Sequence, residues 1–118
     1  MKTTPARIPL PNGRSYDQFR FVLQWGRTLN PGFGEQMFTI HGLWPEDSTP
    51  GASYLLRCQS IRFDEALVKD LVPKMNYIWA NAIGTNIWLW THEYEEHGTC
   101  CELSQRAYFE AFYQAGLL

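Results

Sequence analysis

At 118 residues, with 45% hydrophobic and 15% aromatic side chains, the chain is sized for one domain with a modest core. A net charge of -2 excludes a general basic coat for polyanion binding, and no apolar run reaches the roughly 18 residues that a membrane span needs. The first residues carry no apolar stretch of the secretory-signal kind, so a leader already removed and a late start of the sequence both fit.

Residues 1–14 are rich in Pro, Gly and Arg and read as an irregular N-terminal extension. Lys2, Arg7, Arg14, Arg20 and Arg27 stand against Asp17 alone in the first 27 residues, leaving the remainder acidic. That imbalance reads as a solvated, flexible basic arm or, more sharply, as a phosphate-steering patch. From Tyr16 the pattern changes: Phe19, Phe21, Leu23 and Trp25 alternate with other residues at strand period, one face toward a core. Asn30-Pro-Gly-Phe-Gly predicts a turn. Residues 36–41 predict a second strand, with Phe38 and Ile40 facing one way and Met37, Thr39 and His41 the other. Gly42 and Pro45 end it, and residues 46–53 form a polar loop.

Apolar positions 63, 67, 68, 71 and 72 have helical spacing, and Asp64-Glu65 suit a helix start. Pro73 breaks or restarts that helix, with another turn over 75–80. Residues 81–86 read as a loop, and 88–96 as a segment that starts extended and turns helical. Residues 104–115 predict a helix capped by Ser104, with Ala107, Tyr108, Ala111, Phe112 and Ala115 on one face. The mixture is α+β, not alternating βαβ units.

Three cysteines leave at least one thiol unpaired within the chain. Adjacent Cys100 and Cys101 are poorly placed to bond each other, so Cys58 pairs with one of them. A reduced chain also fits.

All three histidines fall in two short clusters, around His41 and from His92 to His97. With 90–97 helical, Glu93 and His97 are i and i+4 neighbours, as are His92 and Glu96. A strand-borne His41 reaching the same space would make a general acid–base pair with His97, since imidazole titrates near 6.5. Plainer readings are a structural His41, a solvated Glu93-Glu95-Glu96 face and a core Trp44. A zinc site fits poorly, because His92 and His97 are five apart and turned about 140° on a helix.

Phe38-Thr-Ile-His-Gly-Leu-Trp-Pro45 resembles the first active-site segment of the ribonuclease T2 family, and His92-Glu-Tyr-Glu-Glu-His-Gly-Thr-Cys100 resembles the second. Phe21-Val-Leu-Gln-Trp25 is similar to the family's first strand, and Tyr108-Phe109 lies where its following helix carries that pair. The likeness runs from about Tyr16 to the C-terminus. It implies an antiparallel central sheet with flanking helices over 15–118, secretion or a vacuolar location, and a Cys58–Cys100 disulfide. It further implies a cofactor-free, metal-free endoribonuclease acting on single-stranded RNA and not on DNA, whose backbone lacks the 2′-hydroxyl nucleophile. On that likeness His97 is the base, His41 the acid, and Glu93 stabilises the phosphorane. His92 binds phosphate, Trp44 offers a ring to a base, and the products end in 2′,3′-cyclic phosphate.

Three departures set expectations. Glu96 stands where the family places Lys, a loss of transition-state charge worth about 3 kcal/mol, or roughly a hundredfold in rate. The strand-one cysteine is absent, with Asn30 nearby. The family's later strands and cysteines are absent too, which leaves the apolar face of 104–118 exposed or paired with a second chain and Cys101 without its partner. Glu96 is therefore counted with the substrate-contacting positions. The rival reading is a catalytically impaired relative that binds RNA or a protein.

Overall fold

The computed structural model describes residues 6–25, 38–81 and 83–114. The turn expected at 30–34, residues 36 and 37, the Phe112 side chain and the helix end at Ala115 lie outside that description.

Residues 6–14 of the stretch expected as an irregular extension fold back on the domain. Strand β1 (Ile8–Pro9) runs antiparallel to β2 (Ser15–Tyr16), with Ile8 opposite Tyr16. Gly13 sits at φ +85°, a left-handed conformation that glycine adopts without a Cβ penalty, and Leu10 N–H reaches the Arg14 carbonyl at 2.7 Å. Leu10 is buried in the core. The segment's described arginines, Arg7 and Arg14, are held by partners within the chain. Arg7 pairs with Asp17 at 3.4 Å and with Asp47, while Arg14 donates to Ser53 Oγ (3.0 Å), the Ser53 carbonyl (2.8 Å) and the Tyr54 carbonyl (3.2 Å). Arg20 pairs with Glu46 at 3.1 Å.

Strands β3 (Gln18–Trp25) and β4 (Phe38–Glu46) form the central antiparallel pair, in register from Gln18 opposite Glu46 to Trp25 opposite Phe38. Strand β4 does not stop at Gly42 or Pro45. Pro45 is tolerated near its end, four residues after a register shift: Val22 faces Gly42 and Leu23 faces Ile40, so His41 is the extra residue of a β-bulge. The expected facing of β4 changes accordingly. Thr39 and Ile40 are both buried while Phe38 is 61% exposed. Phe19 and Leu23 of β3 are also exposed, because the helices pack on β4 rather than on β3.

Asp64 starts the next element, its carboxylate accepting from Ala66 N–H at 3.0 Å. Residues Glu65–Leu71 form a 3₁₀ helix kinked at Val68, and helix α1 (Val72–Ile78) restarts with Pro73 in its first turn, where the missing N–H costs nothing. Helix α2 (Asn86–Glu96) is helical from its first residue. Thr85 Oγ1 accepts from Trp88 N–H at 3.2 Å, a cap that removes the expected extended start. A 3₁₀ turn, Gly98–Cys100, leads to α3 (Gln105–Gln114), capped by Ser104 Oγ accepting from Ala107 N–H at 3.2 Å.

The core is aromatic. Trp79, Tyr94, Tyr108 and Phe109 are buried with ring centroids 5.1–6.2 Å apart. Phe109, outside the expected face of α3, is as buried as Tyr108, so this part of the helix is covered within the chain. Polar tips find carbonyls: Trp90 Nε1 donates to Trp79 O (2.8 Å), Trp79 Nε1 to His41 O (3.1 Å) and Tyr108 Oη to Leu43 O (2.7 Å). The last two bonds grip β4 on either side of Gly42. Cys58 and Cys100 are disulfide-bonded, and Cys101 is a buried free thiol pushed up to about 11 by burial. Among the described residues no helix is long and apolar enough to cross a membrane.

Candidate active site

The bulge and the end of α2 set two imidazoles on one carboxylate. Glu93, 0% exposed, lies on the inward face of α2, and His97 follows as the helix C-cap, its N–H bonded to the Glu93 carbonyl at 2.9 Å. His41 Nε2 lies 3.4 Å from Glu93 Oε1, and His97 Nε2 lies 3.6 Å from Glu93 Oε2. Trp44 Nε1 donates to Glu93 Oε1 at 3.2 Å while its ring stacks on His97, centroids 4.5 Å apart and 23° between planes. Oε2 has no hydrogen-bond partner within the described residues. Gly42 makes this approach feasible: an added Cβ would collide with Glu93 Oε1 and stand 2.6 Å from Trp44 Nε1.

Burial raises Glu93 to about 7, with Glu96 adding to the rise and the Trp44 hydrogen bond opposing it. Burial lowers His97 to about 4, and it lowers His41 as well, with a further push from His92. An ionised Glu93 would give both imidazoles an anion at 3.4 and 3.6 Å that opposes this lowering.

The other expected site residues lie at the margin. His92 is on the exposed side of α2, stacked under Trp88 with centroids 5.0 Å apart. The Glu96 carboxylate is engaged by Arg57, whose backbone N–H also bonds the Glu96 carbonyl at 2.8 Å. Arg57 has φ +47°, a conformation rare outside glycine, and nothing in its sequence neighbourhood signals that. Beside His97 opens a cavity of about 270 Å³ lined by Trp44, Asp47, Tyr54, Leu55 and Leu56. Its outer wall is the segment that Arg7 and Arg14 hold, and Asp47 is kept near 2 by hydrogen bonds from Thr49 and Arg7. Among the described residues no group of three or more His, Cys, Asp and Glu is arranged to hold a metal ion.

A buried acid between two imidazoles, set on the β3–β4 pair and helix α2 of an α+β frame, is an arrangement chemically able to exchange protons at two points. The Ribonuclease T2 family model matches residues 16–116. Ribonuclease MC of Momordica charantia is 38% identical over 106 residues, covering 80% of this chain and 54% of that protein. Ribonuclease DdI of Dictyostelium discoideum is 37% identical over 91 residues, covering 72% and 40%. Among solved structures, ribonuclease MC1 from bitter gourd seeds superposes with a TM-score of 0.73 at 34% identity, covering 82% of this chain and 55% of that one. RNase NT in complex with 5′-AMP superposes with 0.73 at 31% identity, covering 86% and 56%. The chain belongs to the ribonuclease T2 family. It spans about half the length of the curated relatives it matches.

Proposed function

We propose that this protein is an endoribonuclease that cleaves single-stranded RNA by transesterification. The observation that carries the reading is the sharing of one buried carboxylate by two imidazoles, at 3.4 and 3.6 Å. His97 accepts the proton of the ribose 2′-hydroxyl. The freed oxygen attacks the adjacent phosphorus, the bond from phosphorus to the 5′-oxygen breaks, and His41 gives that oxygen a proton. The products are a 2′,3′-cyclic phosphate and a 5′-hydroxyl, and both protons are moved by imidazole without a metal. Glu93, neutral below about 7, has an unpartnered Oε2 that would bond a phosphoryl oxygen as charge builds there. Trp44 is held as a positioning ring on His97, with the adjoining cavity and Tyr54 taking the base.

The directions of the shifts supply a pH dependence. The base must be neutral, which holds above about 4 for His97, and the acid protonated, which fails as pH rises past the lowered His41. Activity should therefore be higher on the acid side of neutrality than at or above it. Single-stranded RNA incubated with a chelator at pH 5 and 7 should yield cyclic-phosphate ends, faster at pH 5. Equal degradation by wild type and a His41→Ala, His97→Ala double variant would sink the enzyme reading. Glu96 bears on rate: its charge beside His97 is met by Arg57, so the expected repulsion toward phosphate is partly neutralised. RNA reaching a secretory or vacuolar compartment is the substrate this reading favours.

A further inference from the structure

Trp88 stands one helical turn before His92 on α2, and the two rings lie nearly parallel, with centroids 5.0 Å apart and 6° between planes. We infer that Trp88 is a positioning residue for the proposed cleavage: its indole holds the His92 imidazole at the mouth of the site, where that ring meets the phosphate of the RNA.

This inference rests on the ribonuclease reading for its substrate, and four observations carry it. First, His92 borders the reacting pair. Its charge lowers both His41 and His97, so it lies within electrostatic reach of both imidazoles. His92 is exposed where those two are half-buried, which leaves its ring open to an anion arriving from solvent. Second, the stack is what orients that ring. Among the described residues no hydrogen bond or ion pair holds His92, and without the indole the imidazole would sample its other staggered rotamers. Third, the platform is fixed independently of the ring it carries. Trp88 N–H bonds Thr85 Oγ1 at 3.2 Å. Asn86 Oδ1 accepts from Asn81 N–H at 2.8 Å, and Asn86 Nδ2 donates to Asn76 Oδ1 at 3.0 Å, which ties the first turn of α2 to α1. Helical side chains lean toward the N-terminus, so His92 is laid back onto Trp88. The indole itself is 60% exposed, so core burial does not account for its place. Fourth, the site already uses this device once, in the Trp44 ring stacked on His97 at 4.5 Å. An indole face attracts a cation, so the outer stack persists when the imidazole carries the charge that a phosphate needs.

The test is a double-mutant cycle on the protein as it is, read with a short single-stranded RNA. His92→Ala should lower kcat/KM about tenfold, as the loss of a charge-assisted phosphate contact does. Trp88→Ala should lower it about threefold, the worth of an exposed cation–π contact, while Trp88→Phe keeps most of the rate. In the His92→Ala background, Trp88→Ala should cost nothing further, because the indole acts only through the imidazole. Binding of an unreactive 2′-deoxy dinucleotide should show the same non-additive pattern in Kd. In the proton NMR spectrum the His92 Cε1–H resonance, held upfield by the indole ring current, should move downfield in Trp88→Ala. A Trp88→Ala loss equally large in both backgrounds would mean that the indole touches RNA itself or acts through the fold, and overturns the assignment. An unchanged rate in Trp88→Ala or an unmoved His92 resonance overturns it as well. If no RNA is cleaved at all, the ribonuclease reading fails separately, and the deoxy-dinucleotide cycle still decides whether Trp88 orients His92 toward phosphate.

Discussion

Gly42→Ala is the smallest change that should disable the site. The added methyl would collide with Glu93 Oε1 and stand 2.6 Å from Trp44 Nε1 and 3.0 Å from Glu93 Cδ. A flexible carboxylate elsewhere could swing aside, but this one is fully buried, bonded by Trp44 at 3.2 Å and faced by His41 and His97. Retreat by β4 is resisted by Trp79 and Tyr108, which hold the carbonyls on either side. Overpacking of this kind costs about 1–3 kcal/mol, and losing the indole–carboxylate bond adds about 1.5 kcal/mol or more if its groups are left buried and unpaired. A displacement of Glu93 by about an ångström also spoils the alignment on which proton transfer depends, worth roughly a hundredfold in rate. Cleavage of a fluorogenic RNA oligomer at pH 5 and a thermal melt would measure both effects. The expected result is a melting point lower by about 10 °C and activity down about a hundredfold. A Gly42→Ala protein within threefold of wild-type rate at unchanged melting temperature would refute the close-approach argument.

Other predictions follow from the same geometry. Glu93, raised from 4.5 to about 7, gives stability that is fully present below pH 4.5 and lost as pH climbs through 7, whereas His97, lowered from 6.5 to about 4, gives stability lost as pH falls through 4. The two slopes oppose, so Glu93→Gln should raise the stability gained between pH 4.5 and 7 by up to about 3 kcal/mol relative to wild type; parallel denaturation curves at the two pH values would contradict this. Arg14→Ala should cost less than about 1 kcal/mol of stability, being an exposed contact, yet raise KM for RNA by loosening the Ser53–Tyr54 wall; an unchanged KM removes that role. Replacing Cys58 and Cys100 by Ser opens a loop of 42 residues and should cost about 4 kcal/mol, read from denaturant midpoints. Cys101, buried and pushed up to about 11, should react with a disulfide reagent only on unfolding; rapid labelling of the native protein would show the thiol is accessible.

How much of this was legible in the chain depends on how local each interaction is. Glu93 and His97 are one helical turn apart, so their shared face could be read from spacing once α2 was placed. Asp64 and Ser104 announced their helices through side chains that cap within three residues. His41's aim was not legible, because a bulge is a property of the β3–β4 register and not of either strand alone. Tyr108 read only as part of an apolar helix face, and Trp79 carried no signal at all, yet their polar tips reach across 65 and 38 residues to fix β4. The N-terminal arginines looked solvated because their partners, Asp47 and Ser53, are far along the chain. Arg57 escaped notice for a similar reason: its conformation and its pairing with Glu96 follow from the Cys58–Cys100 link and the path of 57–63 over α2.

The assignment of base to His97 and acid to His41 is tested most directly by changing the leaving group. An RNA oligomer in which sulfur replaces the bridging 5′-oxygen at one linkage leaves as a thiolate, which needs no proton from an acid. Relative to the normal linkage, His41→Ala should regain most of its lost rate on this substrate, while His97→Ala should stay impaired because the 2′-hydroxyl still needs its base. Rescue of His97→Ala instead, or of neither variant, would contradict the account.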